Sequence, residues 1–299
     1  MKRRLLFLAL IISCISINLS GFHKAFAKEF PVGKGTMEVT LDSADGPFEL
    51  RVYTYRPAAA DADSRVVMVM HGASRNADDY RDVWVDAADK YNCIIVAPMF
   101  DKFRFPGSWS YNMGNLYSAT GHRKSINSSA FTIVEQLFSK IRAKYQLRKD
   151  SYYLFGHSGG GQFAHRMVLF GQAQRAERVV AANSGVYTIP DKAIALPYGT
   201  QDTGFDRQHY QAVYAKDLTI MVGERDNNPY HRMLNRSDEA MAQGSNRLER
   251  GKNFFNTTRT HAEQLGVDYR WSFKIIPGVA HSPRGMSRAA AEYFFDSKP

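Results

Sequence analysis

The chain has 299 residues, 44% of them hydrophobic and 23% charged, and a formal net charge of +10. Its Lys and Arg residues are scattered, with no run of five and no interleaved aromatics, which disfavours nucleic-acid binding and predicts a solvated basic surface, at most peripherally attracted to an anionic envelope. With two cysteines in all, a disulfide framework is excluded and stability must come from a hydrophobic core.

Lys2-Arg3-Arg4, the apolar run Leu5 to Ile17 and Ala25-Phe26-Ala27 have the order of a secretory signal peptide, so residues 1–27 are expected to be removed and the mature chain to begin at Lys28. The run is too short to span a membrane as a helix. Two rival readings stand beside this one: an uncleaved N-terminal anchor, and Ile11-Ile12-Ser13-Cys14, which is similar to a bacterial lipobox and would leave a lipidated Cys14. All three take the protein across a membrane, to a secreted or periplasmic location. Removing those 27 residues from 299 leaves 272, and losing Lys2, Arg3, Arg4 and Lys24 lowers the charge from +10 to +6. That length suits one large α/β domain over residues 28–299. Cys93 alone remains, at the head of an apolar run, and reads as a core residue.

Thr36 to Leu41 and Phe48 to Tyr55 alternate apolar with polar residues and predict two antiparallel edge strands around a turn at Ser43 to Gly46. Val66 to Met70 is continuously apolar, as a strand covered on both faces would be, and ends in His71-Gly72-Ala73-Ser74. Tyr80, Trp84, Ala88 and Tyr91 mark one helix; Ile94 to Ala97 is the next buried strand. Phe131, Val134, Phe138, Ile141 and Tyr145 mark another helix. Further strands are expected at Val179 to Ala182, Leu218 to Val222 and Tyr269 to Ile276. Leu248 to Leu265 reads as a long helix stopped by Gly266, and a last helix runs through Phe295. Alternation of this kind predicts an α/β fold, a mostly parallel sheet with N-terminal antiparallel strands and helices on both faces.

Tyr152 to Phe155 is a short apolar strand, followed by Gly156-His157-Ser158-Gly159-Gly160 and a helical pattern at Phe163, Met167 and Phe170. Strand, G-x-S-x-G, helix is the setting of a nucleophile elbow, in which a strained turn lifts a Ser hydroxyl above the sheet edge. The flanking glycines are needed because a Cβ there would clash as strand and helix fold back on each other. The plainer alternative is a Gly-rich turn whose Ser caps the helix.

With these elements the chain resembles the α/β-hydrolase superfamily over its whole mature length. The resemblance implies an acid after the nucleophile and a His last. Gly223-Glu224-Arg225-Asp226 follows the strand Leu218 to Val222, and His281 follows the last strand, so the implied trio is Ser158, Asp226 and His281, with Glu224 a rival acid. Such a trio suits the chemistry: His takes the proton of an otherwise poor nucleophile, and the carboxylate fixes the imidazole tautomer. For the oxyanion hole the resemblance implies the backbone N–H groups of Ala73 and Gly159, with Ser74 either a side-chain donor or a turn residue.

Absence of H-E-x-x-H, of a cysteine pair and of G-x-G-x-x-G predicts no metal site and no cofactor. The long aromatic connection Met99 to Asn127 should wall the site. Within the superfamily, Trp109-Ser-Tyr-Asn-Met-Gly-Asn115 and Ser184-Gly-Val-Tyr187 are similar to secreted esterases of the poly(hydroxybutyrate) depolymerase and feruloyl esterase type. This resemblance implies Trp109, Tyr111 and Tyr187 as substrate-binding residues. The extra cysteines and appended polymer-binding domain of extracellular depolymerases are missing, which favours a small or oligomeric ester as substrate. Acyl transfer to another acceptor, peptide cleavage and a non-catalytic binding role on the same fold remain as alternatives.

Overall fold

The structure, a computed structural model, describes residues 31–296. The expected signal peptide and the Cys14 alternative lie outside them. Eight strands are present among the described residues: β1 (Gly33–Ser43), β2 (Gly46–Arg56), β3 (Val66–Met70), β4 (Ile94–Pro98), β5 (Tyr152–His157), β6 (Ala176–Ala182), β7 (Asp217–Gly223) and β8 (Ser272–Ile276). They form one sheet in the order β1-β2-β4-β3-β5-β6-β7-β8. β2 pairs antiparallel with β1 and with β4, and every other neighbouring pair is parallel.

Among the described residues eight α-helices accompany it: α1 (Ala77–Asp82), α2 (Val85–Tyr91), α3 (Ala130–Lys144), α4 (Gly159–Leu169), α5 (Arg207–Tyr214), α6 (Asp238–Ala242), α7 (Arg247–Leu265) and α8 (Pro283–Phe295). The continuous apolar runs of β3 and β4 are buried at every position, because successive side chains point to opposite faces and both faces are covered. Val66, Met68 and Met70 join a core built with α3, α4, α5 and α7. Val67 and Val69 join a second core with α1, α2 and α8. β1, at the edge, keeps the alternation expected of a half-solvated strand.

Three details differ from expectation. The single helix over Tyr80 to Tyr91 is two, α1 and α2; Trp84 N–H bonds to Arg81 O at 3.1 Å, a tight three-residue closure between them. Tyr80, Trp84 and Ala88 still face one core, so the apolar spacing was satisfied without a continuous helix. The last strand begins at Ser272 rather than Tyr269, because its pairing with β7 starts at Thr219 opposite Ser272. The short α6 carried no apolar period to announce it.

Parallel pairing from β3 to β8 brings the carboxyl ends of these strands to one edge. Loops bearing Ala73, Ser158, Asn183, Asp226 and His281 all leave the sheet there.

Candidate active site

Ser158 is the hinge between β5 and α4, with φ 58° and ψ −115°, a region that non-glycine residues occupy only under strain. The turn closes because its flanks lack side chains: a Cβ on Gly156 would sit 2.0 Å from Gly160 O, and one on Gly160 would sit 2.0 Å from Met70 O. The Ser158 hydroxyl does not cap the helix. It donates instead to His281 Nε2 at 3.1 Å.

His281 lies on the loop after β8 and presents Nδ1 to Asp226 Oδ2 at 2.7 Å. Donation from Nδ1–H to the carboxylate leaves Nε2 as the acceptor for the Ser158 hydroxyl. Asp226 is buried. The rival acid Glu224 is exposed and accepts from Gly278 N–H at 2.7 Å. Sequence separations of 123 and 55 residues are thus closed to hydrogen-bond length.

Ala73 and Gly159, the residues expected to supply the oxyanion donors, pack against each other. The Cβ position of Gly159 lies 3.0 Å from Ala73 N, and Gly159, first residue of α4, has no intrahelical acceptor for its N–H. A helix N-terminus adds positive potential at the same point. Holding this corner, the buried His71 bonds through Nδ1 with Gly72 O at 2.9 Å and accepts from Phe100 N–H at 3.1 Å. Burial lowers its pKa to about 4, so it remains neutral.

The aromatic residues expected at the substrate need correction. Tyr111 and Tyr187 are 1% and 0% exposed, so they have no area to offer a substrate. Tyr111 donates to His71 O at 2.7 Å and stacks on the His71 ring; Tyr187 stacks on Phe254. Both are ring-shaped cores of loops, large apolar bodies with buried tips. Trp109 is half-buried against the core. The connection after β4 also folds Phe100, Phe105 and Tyr117 inward, so its aromatic content is mostly its own packing.

Other residues at the site were assigned no role there by the sequence. Arg247, at the start of α7, donates to Asp226 Oδ1 at 3.2 Å. The His157 ring lies 4.7 Å from that of His281, and His231 lies 5.3 Å from it. Burial, reinforced by the neighbouring His281 and Arg247, holds the His157 pKa well below the usual imidazole value. Tyr80 Oη is 2.8 Å from His157 Nδ1. For Arg247 one signal existed in the sequence: a cation opening a helix, where the dipole disfavours it.

The chain matches no protein-family model, and a search of characterised proteins finds no match. Solved structures do match. Poly(aspartic acid) hydrolase-1 from Sphingomonas sp. KT-1 is 36% identical, with a TM-score of 0.84 over 88% of this chain and 98% of that one. A poly(3-hydroxybutyrate) depolymerase from Bordetella parapertussis is 32% identical, with a TM-score of 0.83 over 94% of this chain and 96% of that one. The chain belongs to the α/β-hydrolase family of serine hydrolases. A fluorophosphonate-binding serine hydrolase of Staphylococcus aureus shares the fold at 14% identity, with a TM-score of 0.55 over 89% of this chain and 100% of that one. The hydrolase is therefore an enzyme built on the sheet described above, and its elbow lies where that sheet's carboxyl edge opens.

Proposed function

We propose that the hydrolase is a secreted or periplasmic serine esterase that cleaves small or oligomeric carboxylic esters through an acyl-enzyme on Ser158. The observation that carries this reading is the consecutive pair of hydrogen bonds from Ser158 to His281 at 3.1 Å and from His281 to Asp226 at 2.7 Å. In the first step Ser158 Oγ attacks the ester carbonyl as its proton passes to His281 Nε2. Asp226 stabilises the imidazolium, and the Ala73 and Gly159 N–H groups receive the developing oxyanion. His281 then returns its proton to the departing alkoxide, and water, activated by the same imidazole, releases the acid. The chemistry of this trio calls for no cofactor or metal.

A secreted or periplasmic location rests on the leader read from residues 1–27. Among the described residues no helix is long and apolar enough to cross a membrane.

A second reading concerns the substrate: an anionic oligomer, linked by ester or amide bonds. Three buried arginines, Arg75, Arg166 and Arg250, direct their hydrogen bonds to uncharged acceptors: Arg75 takes the Phe100, Phe105 and Gly107 carbonyls. Arg166 takes Thr188, Gln162 and the Asn112 and Pro197 carbonyls. Arg250 takes the Gly244, Gly185 and Asn235 carbonyls. Burial brings Arg166 down to about 9, which leaves it charged at neutral pH. Buried cations of this kind, hydrogen-bonded to neutral groups, add positive potential around them; Asp101 offsets part of it at Arg75 and Glu249 part of it at Arg250. One of the similar structures is a poly(aspartic acid) hydrolase, and a chain of carboxylates suits such a field.

The experiment is a fluorophosphonate label, located by mass spectrometry, with a panel of chromogenic esters of differing acyl length alongside neutral and acidic oligo-esters and oligo-amides. Labelling at Ser158 with ester turnover supports the first reading; faster turnover of the acidic members, falling with added salt, supports the second. Turnover without labelling of Ser158 rejects both.

A further inference from the structure

We infer that Arg247 is a positioning residue for this reaction, locking the Asp226 carboxylate in the orientation that serves His281. The inference rests on the reading of Ser158, Asp226 and His281 as the reacting trio. Arg247 is the first residue of α7 and is 1% exposed, beside an Asp226 that is 3% exposed. A buried cation there is costly twice over, through desolvation and through the positive end of the helix dipole. Burial does pull its pKa down, and Asp226 is the main group pulling the other way.

The geometry shows what the pair accomplishes. Asp226 divides its two oxygens: Oδ2 takes His281 Nδ1 at 2.7 Å and Oδ1 takes an Arg247 guanidinium nitrogen at 3.2 Å. With Oδ1 held, rotation of the carboxylate about its last side-chain bond is blocked, and Oδ2 stays turned to the imidazole. The same turn of α7 grips the backbone of Asp226, because Leu248 N–H donates to Asp226 O at 3.2 Å. The second guanidinium nitrogen donates to Met233 O at 3.0 Å and lies 3.4 Å from His231 Nδ1. One side chain thus fixes the acid and the loop that carries His231 against His281. Nothing in the arrangement brings Arg247 to the Ser158 hydroxyl, so it acts through Asp226.

The test is a double-mutant cycle on turnover. Arg247→Gln and Arg247→Lys are each made in the wild-type and Asp226→Asn backgrounds, with kcat and KM measured on a small neutral ester and Ser158 phosphonylation rates measured in parallel. Arg247→Gln should lower kcat and the phosphonylation rate by roughly 10- to 100-fold, since misplacement by about an ångström in an oriented reaction costs up to about 10²-fold, with KM changed by less than about twofold. Arg247→Lys should recover most of the loss. In the Asp226→Asn background Arg247→Gln should cost less than about twofold, because the group it positions is gone. Equal losses in both backgrounds would mean that Arg247 is only a staple between loop and helix, and a rise in KM at constant kcat would mean substrate binding; either overturns the inference. If Arg247→Gln does not fold, the Lys variant carries the cycle, and its loss must be larger with Asp226 present. Failure of the trio reading gives a different signature: Ser158→Ala would keep wild-type turnover.

Discussion

Asn183 donates its side-chain amide to Ala280 O at 3.1 Å, in the residue immediately before His281, while its Oδ1 accepts from Gly223 N–H at 2.8 Å. One side chain at the end of β6 therefore ties the end of β7 to the loop that delivers the base. Asn183 has φ 45°, a left-handed conformation that Asn and Gly tolerate best. Asn183→Gly keeps that backbone and removes both bonds, together with the 3.5 Å contact from the Asn183 amide to His157 Nε2. The expected outcome is a loss of roughly tenfold in kcat with the fold retained, since misplacement by a fraction of an ångström is costly in an oriented reaction. Steady-state kinetics with a circular dichroism spectrum checks it.

Ser158→Ala and His281→Gln should each abolish nearly all turnover, and the double variant should be no worse than the poorer single one, because the two act as a unit. A residual rate of roughly 10³ over the uncatalysed reaction is expected from binding and the oxyanion donors. Single-turnover assays of the three variants decide this; additive losses would contradict the pairing at 3.1 Å.

Asp226→Asn should lower kcat by about 10⁴, as the imidazole loses the partner that selects its tautomer. Glu224→Gln should change it by less than about threefold, since its carboxylate caps an exposed Gly278 N–H. Measured side by side, a crippled Glu224→Gln would reassign the acid.

Stability should fall on acidification below pH ~6.5. His71, His157 and His165 are buried, and burial lowers the pKa of each in the folded protein, His71 to about 4. Below the ordinary imidazole value of ~6.5 the unfolded chain binds protons that the folded chain refuses, so stability is present above that value and is lost as pH falls toward the folded one. Each histidine contributes a slope of about 1 kcal/mol per pH unit in that window. Urea melts at pH 7, 6 and 5 should show a progressive loss; a flat profile would mean that these rings are solvated in solution.

Much of this was legible in the chain itself. The two-sided burial of Val66 to Met70 followed from an unbroken apolar run, and the elbow at Ser158 followed from local crowding that only glycine relieves, 2.0 Å at both Gly156 and Gly160. Order along the chain also separated strands from helices, because periods of 2 and 3.6 are local properties. Tertiary structure decided the rest. Whether Asp226 or Glu224 faces His281 depends on how β7 and β8 align, and two carboxylates two residues apart look alike until that register is set. Tyr111 and Tyr187 are expected as substrate contacts from a resemblance of short motifs, yet burial is a property of everything packed around a residue and has no period in the sequence. Arg247 shows the limit most clearly. Twenty-one residues separate it from Asp226, no motif links them, and the charge pair exists only because α7 begins where the loop after β7 comes to rest.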